Sequence, residues 1–220
     1  GNWGSRKYLT ASLDQSLRRM KLDYVDIFYS HRHDPETPLE ETLQALVDIV
    51  RRGKALYVGL SRYPLEAARF AFRYLAERDV PCLLFQDRYN IFSRQPETSG
   101  VLSLSAASGS GFVAFSPLAQ GLLTGRYLDG IPQDSRMAAG RSLQREVLTD
   151  AMLERLRALN DIARQRGQTL EQGPQAGGAG TRLQIATFQS QLRELTLQTN
   201  THQIVFLWKA GSKAVDAHGQ

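Results

Sequence analysis

The chain has 220 residues, 42% of them hydrophobic, which is enough for one substantial core. Its net charge is +5, yet the 27 lysines and arginines are interleaved with 22 acids, a pattern that excludes a dense nucleic-acid or membrane patch and leaves arginines for phosphate groups on a small molecule. A single cysteine, Cys82, excludes an internal disulfide; there is no N-terminal signal pattern and no apolar run near the ~18 residues of a membrane span, so a reducing, cytosolic setting is expected.

In chain order, residues 9–22 place Leu9, Leu13, Leu17 and Met20 on one helical face. The short β-rich run Tyr24 to Tyr29 reads as a strand. "TPLEETLQALVDIVRRG" then spells a helix: Thr37 can cap, Pro38 suits the first position and Glu40 completes a capping box. Leu39, Leu43, Leu46, Val47 and Val50 form its apolar stripe, and Gly53 ends it. "ALYVGL" (55–60) is a strand, 64–79 a long helix, and "PCLLFQ" (81–86) another strand. A short Ser-rich connection around 100–108 carries no element in this reading. "GFVAFS" (111–116) is a strand, and 148–167 a capped amphipathic helix.

The strands begin near residues 24, 55, 81 and 111, at spacings of 31, 26 and 30. Nearly unbroken apolar strands alternating with helices at this period argue for a parallel sheet covered by helices. A doubly wound open sheet and a (β/α)₈ barrel both satisfy that rhythm. The G-x-G-x-x-G turn usual in the first is absent from every βα junction. The strand ends read His31-Arg32, Ser61-Arg62, Gln86 and Ser116-Pro117-Leu118. In a barrel these four endings gather on the face where such enzymes place their sites. Polar residues end most strands, so one such ending carries no weight; four in register point to a pocket. A metal site from His31, His33 and Asp34 is not expected, because adjacent positions at a strand end diverge.

The segments "SLDQSLRRMKLDYVDIFYSHRHD", "ALYVGLSRY", "FQDRYN" and "AFSPLAQGLLTGRYLDGIPQDSR" together resemble the aldo-keto reductase family over roughly residues 3 to 172. The similar branch holds the bacterial glyceraldehyde-3-phosphate-reductase-like enzymes and the potassium-channel β subunits. The resemblance implies a (β/α)₈ barrel that carries hydride from NADPH to a carbonyl carbon, with a tyrosine acid aided by a lysine, an aspartate and a histidine. His31 matches that histidine, whose imidazole can donate to the carbonyl oxygen as negative charge develops. The channel subunits carry asparagine there, so His31 leans toward the enzymes; His33 is rim. Ser61, Arg62 and Gln86 match positions that hold the nicotinamide carboxamide, which needs both a donor and an acceptor. Phe115 matches an aromatic on the nicotinamide ring. Ser116, Pro117, Leu118 and Gly121 match the loop around the pyrophosphate, where small residues let the backbone approach closely. Arg126 and Arg136 match basic positions near the phosphates, where charge-assisted bonds are the physical reason.

The pattern also breaks. The resemblance calls for a D-T-A-x-x-Y-G-like segment with the acid tyrosine and its aspartate, and for a strand-end lysine; none of the eight tyrosines has such a context. The Gly-Ser motif for the 2′-phosphate is missing too. Instead a Gly-rich linker, 173–180, leads into a tail, 181–220, that matches nothing in the family, although "QIVFLW" is strand-like. The expectation is a partial (β/α)₈ barrel over 1–172, about four to five βα units, with a flexible tail. Two functional classes remain open. One is an NADP(H)-dependent reductase of small aldehydes and ketones, here in truncated form. The other is a catalytically inactive fragment or β-subunit-like module that binds nucleotide or protein. In either class the partner is a small carbonyl compound or a second copy joined through open strand edges, not nucleic acid or a membrane.

Overall fold

The computed structural model describes residues 3–135, 137–140, 143–172 and 206–207. Along the chain run α1 (Arg6–Met20), β1 (Val25–Ser30), α2 (Leu39–Arg51), β2 (Ala55–Ser61), α3 (Leu65–Ala76) and β3 (Cys82–Arg88). A single turn α4 (Gln95–Thr98), then α5 (Val101–Ala107), β4 (Gly111–Phe115), three 3₁₀ turns, α6 (Asp150–Gln165) and a two-residue β5 (Phe206–Leu207) complete the described elements. The sheet order is β4-β3-β2-β1-β5, and β1–β2, β2–β3 and β1–β5 are parallel pairs. Packing divides the chain into two compact units. The first takes in residues up to Asp87, Pro96–Val113 and β5; the second takes in Arg88–Gln95 and the described residues from Ala114 to Gln172. The Gly-rich stretch 173–180 and the tail other than β5 lie outside the described residues.

In the first unit the helices bury the stripes that their spacing dictates. Leu9, Leu13 and Leu17 of α1, Leu43, Leu46 and Val47 of α2, and Ala68, Ala71, Phe72 and Leu75 of α3 are all buried. They share one core with Phe28, Val58, Leu60 and Phe85 of the strands. Phe85 lies between Phe72 and Phe112, with ring centroids 5.9 and 6.3 Å away. Burying such a ring contributes about 1.5–3 kcal/mol. On the opposite face of the sheet, Tyr29 and Gly59 are register partners, and a Cβ built at Gly59 would stand 2.5 Å from the Tyr29 ring. Only glycine leaves room for that ring. Cys82 is buried and unpaired with any other cysteine, and burial pushes its thiol up to about 12.

Three local features differ from the sequence reading. Helix α1 begins at Arg6 because Ser5 caps it, its Oγ accepting from the Tyr8 amide at 3.4 Å. The capping box at the start of α2 does not form. Thr37 Oγ1 donates instead to Asp34 Oδ2 at 2.8 Å, and Pro38 stands at the N-cap with no side-chain bond. The Ser-rich connection is helix α5, with Val101 and Ser105 buried and the Ser105 hydroxyl donating to the Val101 carbonyl at 2.9 Å. That internal bond removes the main objection to serine inside a buried helix.

The second unit has its own core of Leu122, Leu123, Tyr127, Met137, Leu143 and Leu156. Helix α6 closes over it, capped by Thr149, whose Oγ1 accepts from the Met152 amide at 3.2 Å. None of the described helices is long and apolar enough to cross a membrane.

Candidate active site

Two of the residues singled out from the sequence, Ser61 and Gln86, share one row of the sheet. Register pairs Tyr29 with Gly59 and Gly59 with Leu84; two residues further on, Ser61 pairs with Gln86. Side chains alternate with period two, so Ser61 and Gln86 face the side that Tyr29 faces. Strand β1 ends at Ser30, and His31, half-buried, is the first residue beyond it. Ser61 is 1% exposed and Gln86 3%, and among the described residues neither Ser61 Oγ nor Gln86 Oε1 has a hydrogen-bond partner. Two buried polar atoms left unpaired on adjacent strands are costly, at about 1–3 kcal/mol each.

Arg62 follows at φ 56, a left-handed conformation uncommon for a residue with a side chain. Its backbone N–H donates to the Gln86 carbonyl at 3.0 Å while its side chain is exposed. Arg62 thus ties two strand ends through its main chain. Asp34, in the loop after β1, accepts from the Gly4 amide at 2.7 Å, the Glu36 amide at 3.1 Å and Thr37 Oγ1. These bonds, the Gly4 amide first, hold its carboxyl below the usual carboxylate range. Gly4 is seated tightly: a Cβ there would meet Asp34 Cβ and Thr42 Oγ1 at 2.8 Å each, and Thr42 Oγ1 donates to the Gly4 carbonyl. Among the described residues no cluster of three metal-ligating side chains occurs.

The second unit carries the remaining candidates. Phe115 ends β4, half-buried, with the Arg88 guanidinium 5.9 Å from its ring centroid. The loop after it is held by Asn90, whose Nδ2 donates to the Ser116 carbonyl at 2.8 Å. Ser116, Ala119, Gln120 and Gly121 all have positive φ, so the loop is wound largely through left-handed conformations. At Gly121 (φ 107) the demand is conformational, since a Cβ would touch nothing nearer than a Tyr127 ring carbon at 3.7 Å. The loop borders a cavity of about 480 Å³ lined by Ser116, Pro117, Leu118, Gly121, Thr124 and Arg126, among others. Arg126 donates to Asp134 Oδ2 at 2.7 Å. Arg136 lies outside the described residues. Sequence reasoning did not single out Asn90, Thr124 or Asp134, although all three stand inside the motifs that carried the resemblance.

A profile described as "Aldo/keto reductase family" matches residues 2–173, more than three-quarters of the chain. This chain belongs to the aldo/keto reductase family. It is 54% identical over 176 residues to the L-glyceraldehyde 3-phosphate reductase of Escherichia coli strain K12, an alignment covering 78% of this chain and 51% of that protein. It is 38% identical over 172 residues to a probable voltage-gated potassium channel subunit beta of Oryza sativa subsp. japonica, covering 76% and 52%. Among solved structures, a thermostable aldo-keto reductase in complex with the inhibitor epalrestat superposes with a TM-score of 0.57 at 30% identity, over 78% of this chain and 52% of that one. This aldo/keto reductase chain therefore spans about half the length of the curated relatives it matches, and its parallel α/β fold is a partial (β/α)₈ barrel.

Proposed function

We propose that this chain supplies the nicotinamide-facing strand ends of an NADP(H)-dependent carbonyl reductase, with His31 meeting the carbonyl oxygen. The observation that carries the reading is the pair of buried, unpartnered atoms Ser61 Oγ and Gln86 Oε1, set on facing residues of β2 and β3. A serine hydroxyl donates or accepts and a glutamine carbonyl accepts, so together they suit a primary amide, which offers one N–H₂ and one C=O. The carboxamide of nicotinamide is such a group, and the bound cofactor would supply the hydride. His31 is half-buried one residue beyond the end of β1, where its ring N–H can donate to a carbonyl oxygen as negative charge grows there. Arg62 contributes through its backbone bond to Gln86, which keeps the glutamine's strand end in register with Ser61.

The second unit supports its own part of the reading. The left-handed loop Ser116–Gly121 and the Arg126 guanidinium border a cavity where they would accept phosphate oxygens, with Asp134 orienting the guanidinium. Phe115 would offer an aromatic face, and Arg136 a further cation. For the whole enzyme the 54% relative suggests a small phosphorylated aldehyde as substrate. A second reading, nucleotide binding without turnover, draws on the 38% identity to a channel subunit and on the lack of a D-T-A-x-x-Y-G-like segment in these 220 residues.

The test is a fluorescence titration of NADPH against the wild type and the Ser61→Ala/Gln86→Leu double variant. Affinity should fall at least about tenfold, ~1.4 kcal/mol, while the urea midpoint of the ligand-free chain stays level or rises, because the change removes two unpaired buried atoms. Unchanged affinity would refute the carboxamide assignment. Steady NADPH oxidation with a small aldehyde, lost in His31→Ala, would decide between the two readings in favour of the enzyme.

A further inference from the structure

We propose that Tyr63 is a positioning residue for His31, gripping the chain on both sides of that imidazole. The inference rests on the reading of His31 as the group that meets the carbonyl oxygen. Tyr63 lies in the loop after β2, two residues beyond Ser61, and is 3% exposed. Its hydroxyl stands 2.7 Å from Ser30 Oγ, and Ser30 is both buried and the residue immediately before His31. The same ring meets His33 edge-on, with centroids 5.6 Å apart at 66°. One side chain therefore fixes residue 30 and residue 33, and only Arg32 separates His31 from the second contact. The next residue, Asp34, is itself held by the three bonds it accepts.

Packing alone does not call for this hydroxyl. A phenylalanine would fill the same apolar space, and taking two hydroxyls out of water costs roughly what their mutual bond returns. What the bond adds is direction. It ties the end of β1 to the loop leaving β2, so the strand that carries Ser61 and the residue before His31 move as one body. Chemistry at a carbonyl is sensitive to such placement, since a displacement of ~1 Å at a reacting group can cost about 10²-fold in rate.

The test uses the full 220-residue chain with isotope-labelled histidine, its ring resonances followed by NMR across pH without cofactor. The His31 signal is assigned by its loss in His31→Gln. In Tyr63→Phe the urea melt should stay cooperative while the His31 resonance shifts and its titration midpoint moves. Ser30→Ala should produce the same displacement, and the double variant should add nothing to it. A His31 signal and midpoint unchanged in both variants overturns the proposal, whatever happens to NADPH affinity. NADPH affinity unchanged in Ser61→Ala/Gln86→Leu, with this coupling intact, counts only against the cofactor reading. Should Tyr63→Phe fail to fold, Ser30→Ala, the smaller change, decides alone.

Discussion

Asp34 shows how much one buried carboxylate can organise. It is 6% exposed and takes three donors, two from backbone amides and one from Thr37. Replacing it with asparagine turns one acceptor oxygen into a donor that faces donors, so Asp34→Asn should cost about 1–3 kcal/mol at neutral pH. The folded chain keeps this carboxyl ionised at pH values where the unfolded chain has begun to protonate its own. Its stabilisation is therefore complete above the unfolded value of ~3.9 and is lost as the pH falls through the lower folded value. Urea melts of wild type and variant should differ most near neutrality and converge in acid. A gap that is constant down to about pH 3, well below the ordinary carboxylate value, would show that the carboxyl contributes nothing through its charge.

At the scale of elements, the contact between β1 and β2 is set by the Tyr29–Gly59 pair. Tyr29 is buried and leaves no space for a side chain opposite, so Gly59→Ala must push the ring or the strands apart. Overpacking of this kind costs about 1–3 kcal/mol. Denaturant melts should show the loss, and Tyr29→Leu in the same chain should recover part of it; full additivity of the two changes would mean that they do not meet. The alternation of strands with helices and the 3.6-residue stripes of α1 and α2 were legible from the sequence because apolar spacing alone determines them. Helix α5 was not, since serine has no hydrophobic period to read and is accommodated by a bond from Ser105 to Val101 that only the fold creates. The start of α2 was misjudged for a related reason: Thr37 had two possible partners, and the one 3 residues back, Asp34, takes it. His31, Ser61 and Gln86 could be found as polar residues at strand ends. Tyr63 could not, because in the sequence it is one more aromatic beside a strand.

For the molecule as a whole, the sheet leaves apolar surface at its margins. Among the described residues β5 stands beside only Ile27 and Phe28 of β1. Leu22, Tyr24, Leu56, Tyr57 and Leu83, all at or near the starts of β1, β2 and β3, are between 37% and 49% exposed. An edge of open backbone groups next to apolar side chains favours association. Size-exclusion chromatography of the pure chain should show assemblies whose proportion rises with protein concentration, and its thermal melt should broaden accordingly. A monodisperse monomer with one sharp transition would show that the partial barrel is self-sufficient.

The clamp on Gly4 has an optical consequence. Trp3, the residue before it, is 46% exposed and stacks at a tilt 5.0 Å from Tyr8. Its chromophore thus rides on the peptide whose amide enters the Asp34 carboxylate, in the loop that also bears His31 and His33. Release of that amide would change the surroundings of the indole. With Trp208 replaced by phenylalanine, the colour of the remaining Trp3 emission is accordingly a gauge of this loop, distinct from the ellipticity that reports the helices.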